Sequence, residues 1–310
     1  MVIRSAIANN DQLIDMRYKI RHTTEYKYQE PISTCLNRLC LTPLSMPGHE
    51  CISSEIKVDP TPDVMNYRTD FYGNTLLFFS SYKEHNRLEI ISISEVNIEE
   101  RITGKQATGS LILAKDVIAT LSQNLQENQD EIEFVLPSQY IPDSEEIKNF
   151  AMDCFPEDST LWNSCLMLMQ KIYTKIEFKP GFTTINTPVE AVIKGKKGVC
   201  QDFAHLMIAC LRNMGIPARY VSGYIETLPP PGKKKLVGSD ASHAWVSVYF
   251  PNIGWVEFDP TNNLLPSDKH ITVAFGRDYH DVAPIKGVVF GSGKQVLDVK
   301  VDVERVPLAS

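Results

Sequence analysis

The spacing of apolar and polar positions changes period part-way along this 310-residue chain. From Met16 the run MRYKIRHTTEYKY alternates, which predicts a strand with Tyr18, Ile20, His22, Thr24 and Tyr26 on one face. LEIISISEVNIEE alternates similarly, with Ile91 and Ile93 on one face and Val96 joining them after a slip. Turn clusters lie between, DPTPD at 59–63 and YGN at 72–74. Residues 16–110 therefore predict an all-β module, a sandwich. Residues 111–140 are less regular, and one helix over Asp116–Gln126 followed by a linker is expected there.

From Ile141 the period becomes helical. Asp143 and Glu146 have capping-box spacing ahead of Ile147, Phe150, Ala151 and Cys154. Trp162, Cys165, Leu166, Met169, Ile172 and Tyr173 share a second helical face. A short helix is expected after a Thr187 cap, with Pro188 and Glu190 in its first turn and Gly195 at its end. The strongest pattern follows Cys200, where Phe203, Leu206, Met207, Cys210, Leu211 and Met214 keep the i, i+3, i+4 spacing until Gly215 and Pro217 stop it. ARYVSGYIET, HAWVSVYF, GWVEFDP and LDVKVDVERV then read as strands.

At this length two domains are expected. A net charge of −7 and a pI near 5.6 argue against a nucleic-acid or anionic-membrane partner, and no run is long enough to span a bilayer. The first residues lack the apolar stretch of a secretory signal. Seven cysteines, an odd number with no C-x-x-C pair, fit free thiols in a reducing compartment, so a cytoplasmic location is expected.

Six of the seven cysteines read as buried packing residues: Cys35, Cys40, Cys51, Cys154, Cys165 and Cys210. Cys200 is different. It stands at the first turn of its predicted helix, where unpaired N–H groups and the macrodipole favour an anion. Lys196 and Lys197 add positive potential, while Gly195 and Gly198 let the loop bend and leave the sulfur open. Those features favour a nucleophilic sulfur over a packed one. Such a nucleophile needs a base, and the base an orienting acceptor. If Phe250–Gly254 form a five-residue hairpin loop, Tyr249 opposes Trp255 and Trp245 opposes Asp259. His243 and Asp259 then share a face within side-chain reach. A four-residue loop would put them on opposite faces. His205 reads as a helix-surface or supporting residue. His22, His49, His85, His270 and His280 have no evident carboxylate partner, and Asp202 complements the helix dipole. Cys200, His205, His243 and Asp259 lack the usual spacing of a zinc site, so no metal is expected.

GVCQDFAHL, LRNMGIPARYVSGY, DASHAWVSVY and GWVEFDPTNN, in that order, resemble the bacterial transglutaminase-like superfamily of candidate cysteine proteases. MRYKIRHTTEYKYQEPISTCLNRLCLTP, with DFYGN later, resembles the β-rich N-terminal domain that often precedes that core, and GRDYHDVAPIKGVVFGSG also fits the family. The resemblance starts at Met16 and leaves 1–15 as an N-terminal extension. It implies an α+β fold: a β-sandwich domain over 16–110, a linker over 111–140, a papain-like, transglutaminase-like core over 141–275, and a strand segment over 276–310 completing the fold. Carried over position by position, Cys200 is the nucleophile, His243 the general base and acid, and Asp259 the orienting acceptor. The papain segment CGSCW and the calcium loop of the animal enzymes are both missing.

The activity implied is acyl transfer from a peptide or protein amide through an acyl-enzyme, without a cofactor. Hydrolysis is favoured. Transamidation or deamidation of protein glutamine, or a non-catalytic binding or scaffold module, is the alternative. Trp245 is expected either to wall the substrate pocket or to pack in the core. Asn262 braces Asp259 or makes a turn, Tyr279 approaches the cleft, and residues 226–242 form either a lid or a solvated loop. Substrate identity and oligomeric state are not encoded in these motifs.

Overall fold

The computed structural model describes residues 16–99, 106–123, 126–227 and 242–306. The first six strands are β1 (Met16–Ile32), β2 (Thr34–Leu39), β3 (His49–Asp59), β4 (Val64–Thr69), β5 (Thr75–Ser81) and β6 (His85–Ile98). Two more come from the far end of the chain, β13 (Ile285–Phe290) and β14 (Gln295–Val306). They assemble as two four-stranded antiparallel sheets, ordered β14-β1-β6-β3 and β13-β2-β5-β4. Ile32, Ile56, Leu88 and Ile90 from the first sheet and Cys35, Leu39, Leu77 and Phe79 from the second share one buried cluster. This is the sandwich expected from the alternation, closed by the C-terminal strands.

In β1 the expected face is the buried one: Tyr18, Ile20, His22 and Thr24 are inside. In β6 the face is the other one. Leu88, Ile90, Ser92, Ser94, Val96 and Ile98 are buried without a slip, and Ile91 and Ile93 lie on the outer side. The two serines misled the alternation count. Each is a small polar residue that an interior tolerates through a hydrogen bond, from Ser92 Oγ to Leu41 O and from Ser94 Oγ to Ser54 Oγ.

The second half holds a third antiparallel sheet, β11-β10-β9-β12, from β9 (Ala218–Ile225), β10 (Ser242–Phe250), β11 (Gly254–Phe258) and β12 (His270–Gly276). The helices are α1 (Val117–Ser122), α2 (Gln129–Glu133), α3 (Glu145–Ala151), α4 (Leu161–Lys175), α5 (Val189–Gly195), α6 (Cys200–Asn213) and α7 (Tyr279–Val282). Three boundaries differ from expectation. The helix expected over 116–126 is only α1. The cap of α3 is Ser144, whose own N–H goes to Asn213 Oδ1, so Asp143 lies outside the helix. The cap of α5 is Pro188, and the Thr187 hydroxyl accepts the Thr184 N–H in the preceding turn instead. Tyr173 at the end of α4 is exposed.

α6 begins at Cys200 as expected, yet it is not half-solvated. Every residue from Asp202 to Arg212 is buried. Its polar side is covered because each polar group has a protein partner. The Arg212 guanidinium donates to the carbonyls of Ala218, Leu136 and Arg277 and to Ser138 Oγ. His205, expected near the helix surface, is also buried, and its Nε2 accepts the Tyr279 N–H at 3.1 Å. Burial lowers its pKa to about 4, so it is neutral.

The sandwich is tied to this core through the DFYGN turn. Asp70 carboxylate oxygens accept the N–H groups of Tyr72 and Asn74 and the Asn74 side-chain amide. Asn74, fully buried, then behaves like a strand residue toward β12. Its Nδ2 donates to Phe275 O at 2.7 Å, and its Oδ1 accepts the Phe275 N–H at 2.9 Å.

Candidate active site

Cys200 is the first residue of α6, reached through a tight entry. Lys196 caps α5 in the left-handed conformation (φ 52°), and Lys197–Gly198 (β8) pair in parallel with Glu177–Phe178 (β7). A Cβ at Gly198 would lie 2.8 Å from the Asp202 side chain. Only glycine leaves room for that carboxylate to fold back over the helix start. Asp202 accepts the Val199 N–H at 2.7 Å and the Thr183 hydroxyl at 2.6 Å. It serves as more than a dipole complement, because it clamps the backbone immediately before the cysteine. The Val199 carbonyl accepts the N–H groups of Asp202 and Phe203, which leaves Cys200 and Gln201 ahead of the first intrahelical bond. Lys197 turns toward Glu177 at 3.4 Å, so its charge is partly neutralised and the helix end is the main positive feature.

Cys200 is half-buried, and all seven cysteines are free. Burial pushes the other six thiols up, to about 12 at Cys40 and about 11 at Cys154.

The hairpin has the expected register, although Phe250 and Gly254 are themselves paired and the turn is only 251–253. Phe250 pairs with Gly254, Tyr249 with Trp255 and Val246 with Phe258. His243, near the start of β10, and Asp259, just beyond β11, consequently meet: Nε2 lies 2.8 Å from Oδ2. The same imidazole lies near enough to Cys200 for the sulfur to raise its pKa. With Nε2 directed at Asp259, Nδ1 is the ring nitrogen left for the sulfur.

Five donors converge on the fully buried Asp259 carboxylate. Oδ1 accepts the N–H groups of Thr261 and Asn262 at 3.0 and 3.2 Å. Oδ2 accepts from His243, from Asn262 Nδ2 at 2.7 Å and from His270 Nε2 at 3.1 Å. A backbone bridge between Asp259 and Leu264 folds the segment back so that Asn262 makes both the turn and the brace. His270 had no carboxylate partner by sequence. It gains one because β12 pairs with β9, on the opposite side of β9 from β10, with a register shift between Thr272 and Ala274. The Ser267 N–H points to its Nδ1 at 3.3 Å, so Nε2 carries the proton given to Asp259.

The electrostatics follow from this crowding. Burial alone would pull the His243 imidazolium down. Asp259 and Cys200 outweigh it and raise the pKa to about 10. Burial would raise the Asp259 carboxyl, but its donors hold it well below the usual carboxylate range. His243, Asp259 and His270 place ligand-type atoms within 4.8 Å of one another. Their contacts of 2.8 and 3.1 Å are hydrogen-bond distances.

Trp245 does not wall a pocket. It is fully buried, with Nε1–H on Glu257 at 2.9 Å and its ring edge-on to His270 at 5.2 Å. Gly223 beneath it has no space for a Cβ, which would meet Ile271 O at 2.1 Å. Tyr279 is half-buried and packs edge-on against Tyr220, with ring centroids 6.4 Å apart. Tyr220, which sequence reasoning passed over, has its hydroxyl pKa raised by burial and then by Cys200. Of the expected lid, residues 228–241 lie outside the described residues.

Comparison with known proteins agrees with this architecture. Residues 153–260 match the model of the transglutaminase-like superfamily, and 18–97 that of the bacterial transglutaminase-like N-terminal region. An uncharacterized protein of Mycobacterium tuberculosis is 36% identical over 294 residues, covering 93% of this chain and 92% of its own. One from Mycobacterium leprae is 31% identical over 299 residues, covering 94% and 99%. A protein-glutamine gamma-glutamyltransferase of Pseudomonas aeruginosa is 37% identical over 89 residues, 28% of this chain and 13% of its own. The crystal structure of a candidate cysteine protease from Cytophaga hutchinsonii superposes with a TM-score of 0.76 at 22% identity, over 96% of this chain and 92% of its own. The chain belongs to the transglutaminase-like superfamily. Membership supports thiol-dependent catalysis in general. Among the described residues, no helix is long and apolar enough to cross a membrane.

Proposed function

We propose that this protein is a thiol acyl hydrolase acting on peptide or protein amides through Cys200, His243 and Asp259. The observation that carries the reading is one imidazole hydrogen-bonded to a buried carboxylate at 2.8 Å and near enough to a cysteine at a helix start for the sulfur to raise its pKa. The sulfur attacks the amide carbonyl and forms a C–S bond. The N–H groups of Cys200 and Gln201, at the positive end of α6, hold the developing oxyanion. The His243 imidazolium gives its proton to the leaving amine, and the amine departs. The neutral ring then takes a proton from water, which attacks the thioester, and the acid leaves with the resting pair restored. Asp259 keeps Nδ1 aimed at the sulfur, while His270 and Asn262 position Asp259.

Hydrolysis is the leading outcome because Cys200 is not fully buried, and water reaches a thioester there without a dedicated site. The transferase named for the Pseudomonas relative supports a second acceptor, an amine, in place of water. A panel of peptides and glutamine donors, run with the intact protein and Cys200→Ala, separates these outcomes by following free carboxylate, ammonia and amine incorporation. New carboxylate lost in Cys200→Ala is expected. Turnover that survives Cys200→Ala would overturn the reading.

A further inference from the structure

Residues 179–187 leave β7 and run past the start of α6, fastened at several points. The Lys179 N–H donates to Gly198 O at 2.8 Å, the Thr183 hydroxyl to Asp202 at 2.6 Å, and Gln201 Nε2 to Ile185 O at 3.2 Å. The Tyr140 hydroxyl donates to Asn186 Oδ1 at 3.2 Å, and Thr184 and Thr187 close the turn on each other. The segment is thus tied to the chain on both sides of Cys200. Yet large apolar side chains on it and on β7 meet solvent: Phe178 is 52% exposed, Phe182 49% and Ile185 53%. Phe182 is seated on Gly195, where a Cβ would lie 3.1 Å from its ring, and Lys197 Nζ stands 5.7 Å from the ring centroid. Phe178 rests on the buried Phe203, with centroids 6.4 Å apart. Apolar surface that is held in place and left open marks a binding surface. Its rim is positive, although the chain carries a net charge of −7. Lys194 and Lys197 have carboxylate partners in Glu146 and Glu177, whereas Lys179 and Lys196 have none among the described residues.

We propose that this turn is the substrate shelf of the Cys200 site, selecting polypeptide segments that carry a large apolar side chain and a carboxylate close to the scissile amide. The proposal rests on Cys200 as the nucleophile. Ile185 lies one Gln201 side chain away from the residue that follows the sulfur. An extended segment advances about 3.3–3.6 Å per residue, so side chains within two or three residues of the reacting carbonyl reach the shelf. There the apolar side chain covers Phe182 and Ile185, and the carboxylate meets Lys179 and Lys196. Because hydrogen bonds already fix the turn, the ordering cost falls on the substrate alone.

Alkylating labels of graded side chain test this on the full chain without requiring turnover. In each, the sulfur displaces iodide and a C–S bond forms. N-iodoacetyl-phenylalanine offers the apolar group and the carboxylate, N-iodoacetyl-glycine the carboxylate alone, and N-iodoacetyl-phenylalaninamide the apolar group alone. Rates at Cys200 are read by peptide mass mapping, each relative to that label's rate with glutathione. N-iodoacetyl-phenylalanine is expected to outpace the glycine label roughly tenfold, the yield of covering about half an aromatic side chain. It should outpace its own amide by about threefold, an advantage that added salt erodes. Phe182→Ser with Ile185→Ser should bring the first ratio close to one, Phe182→Leu should keep most of it, and Lys179→Gln with Lys196→Gln should remove the second. Equal rates for the phenylalanine and glycine labels on the intact protein would overturn the proposal, as would a first ratio that survives the double serine variant. So would a doubled sedimenting mass that Phe182→Ser abolishes, which would give the shelf to a second copy of the chain. Failure of the thiol reading is seen separately, as plain iodoacetamide reacting no faster at Cys200 than at the other six cysteines.

Discussion

Asp259→Asn probes the centre of the site with almost no change in shape. The amide presents one oxygen and one NH2 where five donors now meet two oxygens. If the oxygen keeps Thr261 and Asn262, the NH2 faces the N–H groups of His243, His270 and Asn262. If it flips, the NH2 faces two backbone N–H groups. Removing one partner of a buried charge pair costs about 3–5 kcal/mol. Melting should fall by on the order of 10 °C at neutral pH. The pH dependence is more diagnostic. His243 has its folded pKa raised from 6.5 to about 10, so its contribution is complete below pH 6.5 and disappears as pH rises through 10. Asp259 is held low, so its contribution exists above its unfolded value near 3.9 and is lost as pH falls through the folded one. The penalty of Asp259→Asn, measured as the melting difference from the intact protein across pH, should peak between about pH 4 and 6.5 and shrink toward pH 10. A penalty that is flat or grows with pH would refute the ion pair.

Iodoacetamide at pH 6 should alkylate Cys200 before the other six thiols, read by peptide mass mapping, and His243→Ala should remove that order. His270→Ala withdraws one donor from Asp259 and should cost about 1–3 kcal/mol in melting and slow turnover. His270→Gln, which keeps an N–H in reach, should recover most of the rate, while equal rates would make His270 a packing residue only. Asn74→Ala leaves the Phe275 N–H and C=O buried without the amide they now share, and should cost about 2–4 kcal/mol, seen as faster proteolysis between the sandwich and the core. Gly198→Ala forces Asp202 off the Val199 N–H and should lower Cys200 alkylation, with the loss read by the same mapping.

Local pattern was enough wherever one element decided the outcome. The alternation in β1, the start of α6 at Cys200 and the loop length between β10 and β11 are properties of short segments, and period and turn chemistry determine them. The same local reasoning misjudged β6, where two buried serines mimic a solvent face. It also misjudged α6, whose polar stripe is covered by Leu136, Ser138, Arg277 and Tyr279 from elsewhere in the chain. Amphipathicity reports which residues prefer water, and a polar group supplied with a hydrogen-bond partner no longer needs it.

The positions of Cys200, His243 and Asp259 in helix, strand and hairpin are thus written in the chain itself, because spacing and turn length act over a few residues. That His270 shares the carboxylate, that Trp245 is interior and that β13 and β14 return to the first sheets were decided only in three dimensions. Those contacts join residues far apart in sequence, and their partners are selected by strand pairing and by the need to satisfy every buried polar group, neither of which leaves a local periodicity.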